Sequence, residues 1–574
     1  MKKVLISIYI LTMGTVLFSC KKSFLDEEPL SIYTPDNSLE TPAQFQQAVN
    51  NLYNGVRNIY MGNMNVPSAL DTYFGLYYAT DFAFNATDYE PAAKLNAYKA
   101  TMVPSYFIPQ NIWTTYYKVI TNANVIISRV ANATQLSDAE KNSFLGQALF
   151  FRAYSYNVLA NLYGGVPLEL NELTEPRYDY VRASRNEVYT QCKKDLQQAA
   201  SLLKNIADVS DGVVNKQIAN HVLTEVLISL KDYDGAIASA SSVISYSGVS
   251  LMTNRFGRRA ATPGDVYRDL FEYNNQNYST GNREGLLVIQ TALNNLASVG
   301  DQTAWAVVPG INSLRFVETT SKAKTNVLFN GNFVDSICSY GIGWIRPTSH
   351  FLYEIWTPGD IRNSSYNIVR DIRISGAPST SPDYGKWYVK DGYKAKTSSA
   401  DFRDTIRNFY PVIRKASPSA GDFAAAAGPA AITNMMNPFG GFLLNNNTKL
   451  FMQKYMARLA ETYLLRAEAY LGKAQTQKAA DDINVLRTRA NATPATAAEM
   501  NIDYILDERL RELYLEEFRA VTLTRLGLLY DRDKKYNPKS GLSIETYHNL
   551  WPIPTTEITQ NTGAELTQND GYTK

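Results

Sequence analysis

The side chains able to carry metal or covalent chemistry are few. Three histidines (His221, His350, His548) and three cysteines (Cys20, Cys192, Cys338) are scattered through the chain. Neither zinc-ligand spacing nor a nucleophile–base–acid arrangement appears among them. Glycoside hydrolysis would instead need two carboxylates across a cleft, roughly 5–10 Å apart. Asp481-Asp482 and Glu516-Glu517 are adjacent acids in charged, helix-patterned sequence, where ion pairing or a solvated face is the expected role. Asp531-x-Asp533 offers at most a weak structural calcium site, because it lacks the further ligands and glycine of an EF-hand loop. No phosphate loop or dinucleotide fingerprint occurs in a suitable context, so no cofactor is expected. What the chain has in abundance is tyrosine, 39 residues, suited to contact surfaces because a flat apolar ring carries a polar tip.

The 574 residues are 45% hydrophobic and 19% charged, which is globular chemistry. Fifty-six basic against 54 acidic residues leave no electrostatic footprint of a nucleic-acid binder. The N-terminus reads as an address. Lys2 and Lys3 precede an apolar run, Val4 to Phe18, too short to remain as a membrane span, and Leu17-Phe18-Ser19-Cys20 resembles a bacterial lipobox. Residues 1–19 are then a lipoprotein signal peptide. Cys20 becomes the lipidated N-terminus, held in the membrane by about 0.8 kcal/mol per buried CH₂. Removing residues 1–19 deletes Lys2 and Lys3 and no acid, so the mature chain carries 54 charges of each sign. Residues 20–41, with Pro29 and Pro35, read as an extended tether. Cys192 lies in a helical pattern as a small buried hydrophobe and Cys338 in a Gly-rich stretch; nothing in the sequence requires them to pair.

The elements that position everything else are helical at both ends. Phe45, Val49, Leu52 and Val56 predict a helix from Pro42 to about Tyr60; Trp113, Tyr116, Ile120 and Ile127 predict a second. Ser137 and Glu140 form a capping box for a third, which Gly164-Gly165 stop, and Ser184 caps a fourth. Ile218–Leu230 with Ala236–Val243, and Leu459–Leu471 with Thr476–Ala490, read as tetratricopeptide-like pairs whose small residues allow close approach. Ile502 to Leu529 carries opposite charges at three- and four-residue spacing, which support a helix. Between about 248 and 450 the chain is rich in Gly, Pro, Asn, Ser, Tyr and Trp, with Gly285 to Thr291 as a short strand. Long loops on a helical scaffold are usually functional. The fold class expected is mostly α: a tetratricopeptide-like scaffold (about 42–247 and 451–530) with a loop-rich insertion (about 248–450), all within one domain, 42–574.

An ordered set of blocks then resembles the SusD/RagB family of outer-membrane nutrient-binding lipoproteins. The blocks are Phe24-Leu25-Asp26 after the lipobox, Trp113-x-x-x-Tyr117-x-x-Ile120-x-x-Ala123-Asn124, and Phe151-Arg152-Ala153-Tyr154 leading to Tyr163-Gly164-Gly165-Val166-Pro167. Arg182-Ala183-Ser184-Arg185, Arg458-Leu459-Ala460-Glu461, Leu464-Leu465-Arg466-Ala467-Glu468-Ala469-Tyr470, Asp507-Glu508-Arg509-Leu510-Arg511-Glu512-Leu513 and Trp551-Pro552-Ile553-Pro554 follow in order. The resemblance implies four helix pairs with a glycan site on long loops. It also implies a place at the cell surface, in the outer membrane, as a lid over a SusC-like TonB-dependent transporter, and binding without catalysis.

Sugars offer apolar C–H faces and hydroxyl edges, so a site needs aromatic rings beside Asn, Asp, Arg or Tyr. Two regions supply them. The segment from Asp71 to Tyr89 holds Tyr73, Tyr77, Tyr78, Asp81, Asn85 and Asp88; the middle holds Tyr273, Tyr278, Trp305, Trp344 and Trp387. Trp305 is the best single stacker, being outside any helical pattern, whereas Trp344 has a core role as an equal alternative. Trp113 and Trp356 fall on scaffold motifs and are assigned to the core. The alternatives are a surface glycoside hydrolase and a relative specialised for peptides or another nutrient.

Overall fold

The structure, a computed structural model, describes residues 39–86, 95–291, 303–310, 315–317, 324–327, 341–374, 379–392, 407, 409–416 and 452–573. The leader, Cys20, most of the tether and Cys338 lie outside the described residues.

Local capping chemistry sets the helix starts. Helix α1 (Pro42–Tyr60) has Thr41 as N-cap in a reciprocal box with Gln44, and buries Phe45, Val49, Leu52 and Val56. Helix α2 (Phe107–Val130) carries Trp113 into the core. Helix α3 (Asp138–Tyr163) begins at the Ser137–Glu140 box and stops at Gly164, φ 76°. Every residue of α3 from Gly146 to Tyr163 is buried, as befits a helix packed on all sides. Its neighbours include α1, α2 and α4 (Arg185–Leu202), the last capped by Ser184 and Glu187.

Helices α5 (Lys216–Ser229) and α6 (Tyr233–Ile244) form one hairpin, and α7 (Leu459–Gly472) and α8 (Thr476–Arg489) another. Helix α7 packs on both α5 and α6, so two pairs distant in sequence stack directly. The approach is close: a Cβ on Gly472 would stand 2.4 Å from the Tyr233 ring. The stacked pairs make the tetratricopeptide-like scaffold of a mostly helical fold.

The charged run after Ile502 differs from expectation. It is three helices, α9 (Ile502–Leu513), α10 (Arg519–Leu526) and α11 (Leu529–Tyr536). Leu515 takes φ 61° in the first break and Gly527 φ 68° in the second. Most of these charges are not an exposed ladder along one helix; they are buried and pair between elements. The first break turns Glu516 toward Arg458 (2.5 Å) and Glu517 toward Arg509 (2.6 Å).

Among the described residues eight short strands pair in twos, all antiparallel: β1 (Ala83–Asn85) with β5 (Ile345–Pro347), β2 (Gly285–Ile289) with β8 (Lys454–Arg458), β3 (Arg315–Val317) with β4 (Lys324–Val327), and β6 (Ile368–Val369) with β7 (Val412–Ile413). The β2–β8 pair ties the first helical block to the start of α7. The β1–β5 pair ties the segment after α1 to the loop-rich middle. One hydrophobic cluster runs from Phe45 to Leu566, and a second packs α7, α8 and α9 together. Trp551 is buried in an extended Trp-Pro-Ile-Pro segment, as its two prolines predict. Cys192 is a buried free thiol donating to the Ala153 carbonyl at 3.4 Å. Among the described residues no helix is long and apolar enough to cross a membrane.

Candidate functional site

The segments bearing Trp305, Trp344 and Trp387 are knitted into one platform. Trp305 lies in a short helix, Thr303–Val307, rather than outside helical structure; its side chain is not among those described. Trp344 immediately precedes β5, and Trp387 forms an isolated antiparallel bridge with Arg373. Two glycines let these segments touch. A Cβ on Gly341 would stand 2.1 Å from the Val308 carbonyl oxygen, and one on Gly343 (φ 65°) 2.1 Å from the Arg407 carbonyl oxygen. The Gly310 N–H donates to that same Arg407 oxygen at 2.9 Å. Below them, the Tyr410 hydroxyl reaches the carbonyls of Val307 (2.8 Å) and Ile345 (3.0 Å). Burial pushes this phenol well above its usual range, so it remains a donor. Phe409 packs on Tyr388 at a centroid distance of 4.5 Å, joining the Trp387 segment.

Trp387 is held on every side of its backbone. Its N–H donates to the Asp391 carboxylate at 2.7 Å, and the Asp371 carboxylate accepts from the Val389 and Lys390 N–H groups at 2.8 and 2.9 Å. The Arg373 guanidinium lies 4.6 Å from the Trp387 ring centroid. Trp344 and Trp387 are both half-buried, and Trp344 also packs against the main hydrophobic cluster, so the core role weighed for it is part of its environment. A fixed, half-buried indole presents a flat apolar face and an N–H edge, complementary to the C–H face and hydroxyls of a sugar.

The cluster from Asp71 to Asn85 is not part of that surface, which corrects the expectation for Tyr77, Tyr78, Asp81 and Asn85. All four are buried, none more than 1% exposed. Asp81 accepts from Arg519 at 2.8 and 2.7 Å and from Arg532 at 2.8 Å. Burial alone would raise its pKa; the two guanidiniums override that and hold the carboxyl well below the usual range. The Tyr77 hydroxyl is 3.3 Å from that of Tyr73, which is 3.0 Å from Thr303 Oγ1 at the start of the Trp305 helix. Asn85 sits in β1 opposite Ile345, its backbone clasped by the Asn96 side chain at 3.2 and 2.8 Å. The Ala86 N–H donates to the Trp344 carbonyl at 2.8 Å. These residues buttress the platform from beneath. Tyr73 and Tyr273 are buried too, while Asp88 and Tyr89 lie outside the described residues.

Tyr278 is elsewhere. Its ring lies under the Arg283 guanidinium, 3.9 Å from the centroid, in a turn whose Ser279 bonds Asp211. A feature that spacing did not reveal is a cleft of about 560 Å³ lined in part by Tyr353, Trp356, Asn363 and Arg370. Tyr353 is 51% exposed, left outside by the π-helical turn His350–Glu354 that buries Phe351 and Leu352. Trp356 packs on Phe351 yet also lines this cleft, so its assignment to the core is only half its role. Trp113 is core, 3% exposed. Asp531 is exposed while Asp533 is buried and accepts from Ser540 Oγ at 2.8 Å, so the two acids do not face a common cation. Among the described residues no three His, Cys, Asp or Glu side chains come together as metal ligands.

Comparison with known proteins bears on this geometry. Residues 23–220 match a family described as "starch-binding associating with outer membrane", and residues 444–572 match the SusD family. The starch-binding protein SusD of Bacteroides thetaiotaomicron is 41% identical over 121 residues, 20% of this chain and 21% of that protein. SusD-like protein P2 of Formosa agariphila is 24% identical over the full length of both. Among solved structures, a laminarin-binding SusD-like protein superposes with a TM-score of 0.65 at 19% identity, covering 93% of this chain and 100% of that one. Surface glycan-binding protein A of Bacteroides thetaiotaomicron, solved with laminarihexaose, gives 0.63 at 17% identity over 92% and 99%.

Proposed function

The chain belongs to the SusD family of glycan-binding proteins, whose members associate with the outer membrane, and from that premise we propose that it captures oligosaccharides at the cell surface and delivers them to a SusC-like TonB-dependent transporter. Cys20 is the lipid anchor in this reading. The observation that supports capture is the platform holding Trp344 and Trp387 half-buried on braced loops. Formal neutrality of the mature chain suits an uncharged or mixed ligand better than a strongly anionic one. Asp371 and Asp391, which flank Trp387 in the platform, are occupied in accepting from backbone N–H groups, which favours binding over hydrolysis there. The family matched over residues 23–220 is described by binding, as "starch-binding associating with outer membrane".

The test is affinity of the full chain for a panel of oligosaccharides that includes laminarihexaose, with the products analysed for new reducing ends. Trp344→Ala and Trp387→Ala should each weaken binding by about 1–2 kcal/mol, roughly 5–30-fold, with circular dichroism unchanged. Reducing-end release lost on mutation of one carboxylate would instead support the hydrolase alternative, and full affinity in both Trp variants would remove the platform from the site.

A further inference from the structure

A larger cavity lies elsewhere on the molecule. It is a groove of about 1,200 Å³ between α1, the start of α3, the 211–213 turn and β2, and it shares no lining residue with the Trp platform. Ligand pockets run to roughly 300–1,000 Å³, so the groove has room for an oligomer. One wall is the outer face of α1, which carries seven carboxamides (Gln44, Gln46, Gln47, Asn50, Asn51, Asn54 and Asn58) and no acid. This is unusual for an exposed helix face, which ordinarily carries Lys, Glu, Asp or Arg, and asparagine is a poor helix former. The floor is apolar: Tyr53 and Phe151 in edge contact at 4.8 Å, with Leu287, Ile289 and Met456.

The two charged side chains lining it are already engaged. Arg57 donates to Asn54 Oδ1 at 2.7 Å, and Asp211 accepts from the Ser279 N–H and hydroxyl. The Tyr53 hydroxyl is fixed between Gln147 Oε1 and the Val214 N–H, each at 2.7 Å. Gln47 and Asn51, one turn apart and exposed, have no side-chain partner among the described residues, and Asn58 Oδ1 is buried without a donor. A carboxamide supplies both donors and acceptors without charge. An apolar floor under uncharged amide walls matches a polymer that alternates C–H faces with hydroxyl edges.

We propose that this groove is a second glycan site on the helical scaffold, taking a segment of an uncharged oligosaccharide. The ligand class rests on the proposed function; the location does not. Native mass spectrometry of the full chain in detergent, titrated with laminarihexaose, maltohexaose and cellohexaose, reads the stoichiometry. For a hexasaccharide that binds, the expected result is two per chain. Gln47→Glu/Asn51→Glu, which places two like charges in the groove, should reduce it to one, and Gln47→Asn/Asn51→Gln should restore two. Trp344→Ala/Trp387→Ala should remove the other copy. One hexasaccharide per chain, lost with the Trp variants and untouched by the Glu variants, overturns this inference alone. No binding of any of the three overturns the proposed function and this site together. Both Glu substitutions are at exposed positions, so an unchanged melting curve confirms that the fold survives them.

Discussion

Asp81 receives charge-assisted hydrogen bonds from two arginines 438 and 451 residues further along the chain. Its carboxylate is the shared counter-charge of two buried guanidiniums, and removing one partner of such a pair costs about 3–5 kcal/mol. Asp81→Asn should therefore lower the free energy of unfolding by that order, read as a lower urea midpoint, while leaving glycan affinity intact in protein that is still folded. A midpoint equal to that of the unsubstituted chain, with binding abolished, would return Asp81 to the ligand surface. The same residue explains what the sequence could not convey about the site. The loop placement of Trp344 and Trp387, both half-buried, was legible. The environments of Tyr77, Tyr78, Asp81 and Asn85 were not, because their burial depends on Arg519, Arg532, Thr303 and β5, none of them local in sequence.

At the scale of elements, legibility followed the range of the interactions that fix each boundary. The starts of α3 and α4 depend on Ser137–Glu140 and Ser184–Glu187, three residues apart, and were readable as a capping box and an N-cap serine. The break between α9 and α10 depends on Glu516 and Glu517 reaching Arg458 and Arg509, and was not. The loop platform depends on backbone contact at Gly343, where a Cβ meets a carbonyl oxygen and φ is left-handed. Gly343→Ala should cost about 1–3 kcal/mol locally, from strain and from pushing the 407–410 segment away. Glycan affinity is then expected to fall while far-UV circular dichroism, dominated by the scaffold, stays the same. Gly281→Ala is the control: its φ is 93°, but no atom lies within 4 Å of the new Cβ, so it carries strain without displacement. Equal affinity in the two variants would detach the platform from binding.

Across the whole molecule, one buried ionic network joins segments that no hydrophobic repeat connects. Arg458 at the end of β8 meets Glu284 beside β2 and Glu512 of α9, and Arg362 of the loop-rich middle meets Glu508 and Glu512, all with side chains 0% exposed. Arg489 at the end of α8 shares Glu512 with them, and Arg487 shares Glu508 at 2.8 Å. Such a network need not exceed an apolar core in stability, but losing one charge from it is costly. Burial works against the charged form of Glu508, yet Arg362, Arg511 and Arg487 outweigh it and bring the pKa down from 4.5 to about 2; Arg509 and His221 do the same for Glu461. Between those values the unfolded chain binds more protons than the folded one, so this stability is complete above pH 4.5 and is lost as pH falls toward 2. His548 adds to the same direction. Burial lowers its pKa from 6.5 to about 4, so protonation favours the unfolded chain once pH drops below 6.5. The melting temperature should fall steeply below pH 4.5, as one cooperative transition rather than a separate loss of the loops. Because these pairs are out of reach of mobile ions, the melting temperature at neutral pH should differ little between 0.05 and 1 M NaCl, unlike that of a fold held by surface pairs. A melting temperature at pH 3 equal to that at pH 7, or a large drop in 1 M salt, would show that the network does not hold these segments together.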